Sequence, residues 1–192
     1  MFNYIMIQTK QPINDVKHEI IDIISAMVDI KDTLMIKNTL VIIYDEPVEV
    51  LFDDFIHQLV MDMVVDMRLY EAYPFDDKAL MKNHMIFINH LMKQIPFDQY
   101  KYLDDEIVTK SCMTSIKQKD YVYIFRSYAK DENMLNTIKV YLESNQNMTL
   151  AAKRLYIHRN TMIQRIDKFV EKTGFDIKKF VAGSMIYYFL TH

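Results

Sequence analysis

Nine polar side chains near the C-terminal end carry the chemistry that can be read from this chain. They are Thr149, Lys153, His158, Arg159, Asn160, Thr161, Gln164, Arg165 and Lys168. Together they offer guanidinium, amide, imidazole, hydroxyl and ammonium groups. A guanidinium matches the paired acceptors on the guanine edge, and a side-chain amide matches the donor and acceptor of adenine. Hydroxyl and ammonium groups suit phosphate oxygens, which set register without reading sequence. Arg159, with Gln164 or Asn160, therefore stands as the candidate for base edges. Thr149, Lys153, Thr161, Arg165 and Lys168 stand as candidates for phosphate. His158, at the start of the run, is placed to cap a helix or to touch phosphate.

The elements that must present these groups are legible by period. Asn147–Ile166 reads as two short helices joined by a tight turn. Thr149 is the expected side-chain cap of the first. Ala151, Ala152 and Leu155 form a small-small-large face that a second helix can approach closely, and Ile157 plugs the angle between the two. Met162, Ile166, Phe169 and Val170 then recur at helical spacing as the buried stripe of the second helix. A helix that buries one face and offers hydrogen-bonding groups from its first turns is the reading element of a helix-turn-helix. A helix starting at Glu132 or Asn133, with Leu135, Ile138, Tyr141 and Leu142, is expected to pack against this pair. Gly174 is the expected left-handed stop of the second helix. Asp176 is expected to cap a last helix whose end, Met185–Leu190, is apolar around its circumference and so buried on more than one side.

The words Tyr141-Leu142-Glu143, Ala152, Leu155, Ile157-His158-Arg159-Asn160-Thr161, Arg165 and Thr173-Gly174 also carry a resemblance. The segment from Leu135 to Leu190 resembles the C-terminal helix-turn-helix of the PucR/CdaR family of bacterial transcription regulators. More distantly it is similar to the Fis-type unit, which has Ala-Ala and Arg-x-Thr at the same spacing. The resemblance implies a DNA-binding regulator that places the helix starting near Arg159 in the major groove; since one such module makes few phosphate contacts, a homodimer reading a two-fold site is expected. It also implies a degenerate GGDEF-like domain ahead of the helix-turn-helix. An inducer pocket does not follow from it.

The pattern before the C-terminal third agrees in element order. A strand over Asn3–Gln8 precedes a helix striped by Ile13, Val16, Ile20, Ile24 and Met27. Thr33–Ile36 and Thr39–Tyr44 read as strands joined by Lys37-Asn38, a hairpin spacing. Pro47 opens a second helix carrying Val50, Leu51, Phe55, Leu59 and Met63, and Val64–Tyr70 is a further strand. Asp76 or Asp77 caps a helix running to about Lys93. The order β-α-β-β-α-β is that of a ferredoxin-like fold, with both crossover helices on one face of the sheet. The fold class expected is α+β: a ferredoxin-like, degenerate GGDEF-like domain over 1–95, a helical connector over 96–131, and an all-α helix-turn-helix domain over 132–192. In the connector, Tyr121–Phe125 is compatible with helix or strand. The hairpin at Met35–Leu40 has neither the glycines nor the carboxylates of a catalytic cyclase, so no cyclase chemistry is expected.

Bulk properties narrow the function further. A chain of 192 residues, 51% apolar, can bury a sufficient core. No apolar run approaches a membrane span of about 18 residues, and the first residues lack the pattern of a secretory signal. With the single Cys112 this fits a cytoplasmic address. The net charge of −3 hides a split: residues 133–192 hold nine Lys/Arg against four Asp/Glu, and the preceding 132 hold 14 against 22. A net +5 module on a net −8 body suits local phosphate binding without indiscriminate sticking. With Gly174 and Gly183 as the only glycines, neither a phosphate loop nor a serine elbow exists, and no enzyme activity or cofactor is expected. His84 and His90, six apart, point in different directions, and His18 and His57 stand alone, so no metal site is expected. The acidic run Asp45, Glu46, Glu49, Asp53 and Asp54 reads as a solvated face at a helix start. The partners expected are double-stranded DNA and a second copy of the chain. Two further function classes stay open: a protein-interaction regulator that keeps the helix-turn-helix fold, and a small-molecule sensor whose effector binds the N-terminal domain.

Overall fold

The computed structural model describes residues 1–45 and 52–192. The sequence expectations for Pro47, Val50, Leu51, Glu46 and Glu49 lie outside the described residues. The chain divides into two compact units, Met1–Cys112 and Met113–His192. The division falls inside the stretch 96–131 read as a connector.

The first unit is built around one strand. β1 (Asn3–Thr9) is buried along its whole length and pairs antiparallel with β3 (Thr39–Asp45) on one side and β4 (Met67–Glu71) on the other. β2 (Asp29–Met35) adds antiparallel to β3. Lys37, at φ 59°, turns the β2–β3 connection through the left-handed region. Among the described residues the strand order is β2-β3-β1-β4-β5. β5 (Tyr102–Leu103) is parallel to β4. A strand of two residues has no period, so its sequence carries no strand signal.

Alternation along the strands sorts side chains to two faces. Ile5, Ile7, Leu40, Ile42, Met67 and Leu69 form one core with Ile20 and Ile24 of α1 (Lys17–Ser25) and Ile56 and Leu59 of α2 (Phe52–Met63). Tyr4 and Gln8 face the other way, toward α3 (Lys78–Met92), which starts at the cap Asp77. There the Tyr4 hydroxyl lies 2.7 Å from His84 Nδ1, and the Thr39 hydroxyl donates to Asn89 Oδ1 at 2.8 Å. The sheet is thus covered on both faces, where the β-α-β-β-α-β order by itself accounts for helices on one. The reason lies in β1 and β3, whose outward alternates are apolar or hydrogen-bonded and cannot face water unaided.

Two polar knots sit on the α3 side. Arg68, 4% exposed, donates to Gln8 Oε1 at 2.9 Å and to the carbonyls of Met92 and Ile95 at 2.7 and 3.0 Å. It satisfies acceptors that the end of α3 leaves open. His84 lies 3.6 Å from Asp105, whose carboxylate also accepts from the Tyr70 hydroxyl and the Tyr73 amide. Burial and that neighbouring carboxylate push the Tyr70 phenol well above its ordinary value. Asp105 opens α4 (Asp105–Ser111), capped by Asp104. Among the described residues, no three His, Cys, Asp or Glu side chains converge on a metal-sized site.

The second unit is all-α. The five residues that sequence leaves between helix and strand form a short helix, α5 (Tyr121–Phe125), followed by a 3₁₀ turn. α6 (Glu132–Glu143), α7 (Met148–Arg154), α8 (Arg159–Thr173) and α9 (Phe180–Thr191) complete it. Met162, Ile166 and Phe169 of α8 are fully buried. The Phe169 ring stacks on Tyr128 at 6.0 Å and meets Phe125 at 6.5 Å.

Candidate nucleic-acid interface

α7 and α8 meet over short side chains, as the sequence requires. Ala151 and Ala152 are buried at 0% and 3% exposure. α7 starts two residues earlier than the Thr149 cap would place it. Asn147 is the cap, accepting from the Leu150 amide at 3.0 Å, and Thr149 lies exposed in the first turn.

The α7–α8 turn is tight. The Ile157 amide donates to the Ala152 carbonyl at 3.0 Å, and Tyr156 takes up φ 54°. That left-handed conformation favours glycine. Tyr156 is also 97% exposed, so no packing offsets its cost.

His158 then caps α8: its Nδ1 accepts from the Asn160 amide at 3.2 Å. An imidazole nitrogen that accepts is unprotonated, so the proton of the neutral ring sits on Nε2. A capping His158 is thus a neutral donor at the tip of the helix. At the far end, Gly174 stops α8 at φ 81°, as expected. Asp176 does not cap α9. Its carboxylate accepts from the Lys178 amide at 3.2 Å in the preceding turn, and α9 starts four residues after it.

Of the nine side chains singled out, Thr149, Lys153, His158, Arg159, Asn160, Gln164 and Lys168 are exposed, while Thr161 and Arg165 are half-buried. At about 100° per residue, Asn160, Gln164 and Lys168 share one stripe of α8, facing away from Met162, Ile166 and Phe169. Arg165 flanks that stripe, while Arg159, the first residue of α8, lies on the Ile166 side and is exposed at the N-terminal end of the helix. Arg165 reaches back to α6, where its Nη1 donates to the Thr137 hydroxyl at 2.8 Å. Sequence reading missed Thr137, which sits among the apolar positions of α6. A lone threonine on such a face gives no signal until the partner helix is placed. Two other cations are held by acids: Arg154 by Glu143 at 3.5 Å and Lys178 by Asp167 at 3.2 Å.

The sequence of this segment matches a known family. Residues 134–187 match the PucR C-terminal helix-turn-helix domain, and this segment is a helix-turn-helix of that family. Three relatives come from Bacillus subtilis (strain 168). The uncharacterized protein YxkF is 43% identical over 63 residues, which are 33% of this chain and 21% of that protein. The purine catabolism regulatory protein is 35% identical over 95 residues, 46% of this chain and 18% of that protein. The proline-responsive transcriptional activator PutR is 33% identical over 92 residues, 46% of this chain and 21% of that protein. The chain therefore spans about a fifth of the length of the curated relatives it matches. Among solved structures, a regulator of polyketide synthase expression from Bifidobacterium adolescentis aligns at a TM-score of 0.48 and 13% identity. The alignment covers 98% of this chain and 78% of that one.

Proposed function

We propose, from this C-terminal PucR-type helix-turn-helix, that the chain is a DNA-binding transcription regulator without enzyme activity, working in the cytoplasm as a homodimer. One observation carries the reading: the stripe of α8 opposite its buried face is made of exposed Asn160, Gln164 and Lys168, with Arg159 exposed at the helix's N-terminal end. Two of the B. subtilis relatives are regulators by name, which supports the same reading. We read 1–95 as a ferredoxin-like domain, on its strand order and directions, 96–131 as a helical connector, and 132–192 as the DNA-binding domain.

In this reading α8 enters the major groove with Arg159, Asn160 and Gln164 toward base edges. Thr149 and Lys153 on α7, with Thr161, Arg165 and Lys168, hold phosphates. His158 donates from Nε2 to a DNA acceptor while Nδ1 keeps the helix capped. A second copy supplies the other half of a two-fold site, with recognition helices about 34 Å apart.

A salt titration of binding to a genomic target duplex and to a random duplex tests these roles. Arg159→Ala should weaken specific binding by about 1–3 kcal/mol and leave random binding much less affected. Lys168→Ala should weaken both duplexes alike and reduce the salt slope by about one ion. If the two variants behave identically, the division between base and phosphate contacts is wrong. If the wild-type chain binds no duplex at all, so is the regulator reading.

A further inference from the structure

We propose that Thr137, outside the α7–α8 pair, is a positioning residue for DNA binding: it aims the Arg165 guanidinium at the phosphate backbone. The proposal rests on the DNA-binding reading above. Thr137 is 1% exposed on α6. Its hydroxyl donates to the Asn133 carbonyl at 2.8 Å and accepts from Arg165 Nη1 at 2.8 Å. These roles are unambiguous, because a carbonyl and a guanidinium cannot exchange them. The single hydroxyl proton is spent on the carbonyl, so the lone pairs are turned toward Arg165.

A bond to the carbonyl four residues back is how a buried helical threonine ordinarily satisfies itself. That explains the donor half of the arrangement and leaves the arginine unexplained. The nature of the partner is what points to phosphate. Arg154 and Lys178 have their charge answered by Glu143 and Asp167. Arg165 is anchored by a neutral hydroxyl instead, and among the described residues no carboxylate pairs with it. Among the described residues it meets no other acceptor with its remaining N–H groups. It is also only half-buried, on the flank of the exposed Gln164 and Lys168 stripe. A guanidinium held at one nitrogen loses its rotamer freedom before DNA arrives, so less is lost on binding.

The test uses the full chain, a genomic duplex that it binds and a random duplex, each titrated with salt, with thermal melting in parallel. Valine matches threonine in shape and lacks the hydroxyl. Thr137→Val should bind both duplexes about three- to tenfold more weakly, in line with one re-mobilised side chain. It should flatten the salt slope toward that of Arg165→Ala, and it should add nothing in an Arg165→Ala background. Thr137→Ser should bind as the wild type does. A Thr137→Val variant that melts earlier yet keeps wild-type affinity and salt slope would make the contact merely structural and overturn the proposal. So would an equal loss in the Arg165→Ala background. Should Thr137→Val not fold, Arg165→Lys serves in its place. An ammonium keeps the charge but cannot bridge hydroxyl and phosphate through a rigid fork, so wild-type binding by that variant would also overturn it. A wild-type chain that binds neither duplex removes the regulator reading itself, a different failure from a bound duplex indifferent to Thr137.

Discussion

Tyr156 shows what a single residue costs and where. A non-glycine in the left-handed region costs about 1–2 kcal/mol, against about 0.5–1 kcal/mol of extra chain entropy lost when glycine is ordered. With the ring 97% exposed at φ 54°, Tyr156→Gly has almost no packing to lose. It is expected to raise stability by about 0.5–1 kcal/mol, read as a higher denaturation midpoint in urea; an unchanged or lower midpoint would contradict the strain. The neighbouring caps teach a related lesson. Sequence offered Thr149 as the cap of α7, and Asn147 takes the role. Both are good capping residues two positions apart, and only the path of the chain leaving α6 decides between them. That path passes through Asn145 and Gln146, at φ 53° and 59°, which no propensity favours in succession. His158 and Gly174, by contrast, sit where the sequence expected them, because each borders a strongly periodic helix.

At the scale of elements, α9 is the helix whose packing carries the clearest consequence. Gly183 lies on its buried side. A Cβ there would meet Gln146 Nε2 at 3.0 Å, the Ile177 carbonyl at 3.1 Å and Leu142 Cδ2 at 3.1 Å. Alanine is the better helix former by about 1 kcal/mol, but overpacking typically costs about 1–3 kcal/mol, and here one obstacle is backbone. Gly183→Ala is therefore expected to destabilise by up to about 2 kcal/mol, measured as a lower melting temperature; a rise would mean that the Gln146 and Leu142 side chains simply step aside. The sequence predicts burial on more than one side for the end of this helix, Met185–Leu190; within that span Tyr187 is exposed, and Phe180 and Val181 lie before it. Ala182, Gly183, Met185, Ile186 and Phe189 are buried, yet Phe180 is 80%, Val181 40% and Tyr187 38% exposed. An apolar circumference says that water is disfavoured on every side, not that this chain by itself covers every side.

At the scale of the whole molecule, charge and those exposed side chains bear on assembly. One helix-turn-helix makes few phosphate contacts, and affinity grows with each counterion released, so a second copy is the economical route to tight binding. The exposed row on α9 offers apolar surface for it. Sedimentation at micromolar concentration is expected to show a dimer, and Phe180→Ser with Val181→Ser is expected to shift it toward monomer. A wild-type chain that sediments only as monomer would argue against the two-fold arrangement. The charge split belongs to this scale as well: in the proposed reading the net +5 of residues 133–192 would favour a duplex and the net −8 of the rest would oppose unspecific adhesion.

The sequence by itself determined the elements with a long period and the chemistry of the exposed stripe of α8. Hydrophobic spacing is a local property, and polar residues that must stay in water announce themselves by their position on it. Hence β1, the β2–β3 hairpin, α3 and the α7–α8 pair were all legible, together with which face of α8 carries Asn160, Gln164 and Lys168. What only the tertiary structure decided were relations between distant residues. These include the two-residue strand β5, the covering of the sheet by α3 through Tyr4–His84 and Thr39–Asn89, and the anchoring of Arg165 by Thr137. Thr137 and Arg165 lie 28 positions apart. No local pattern encodes a hydrogen bond across that separation, because its geometry exists only once α6 and α8 have packed.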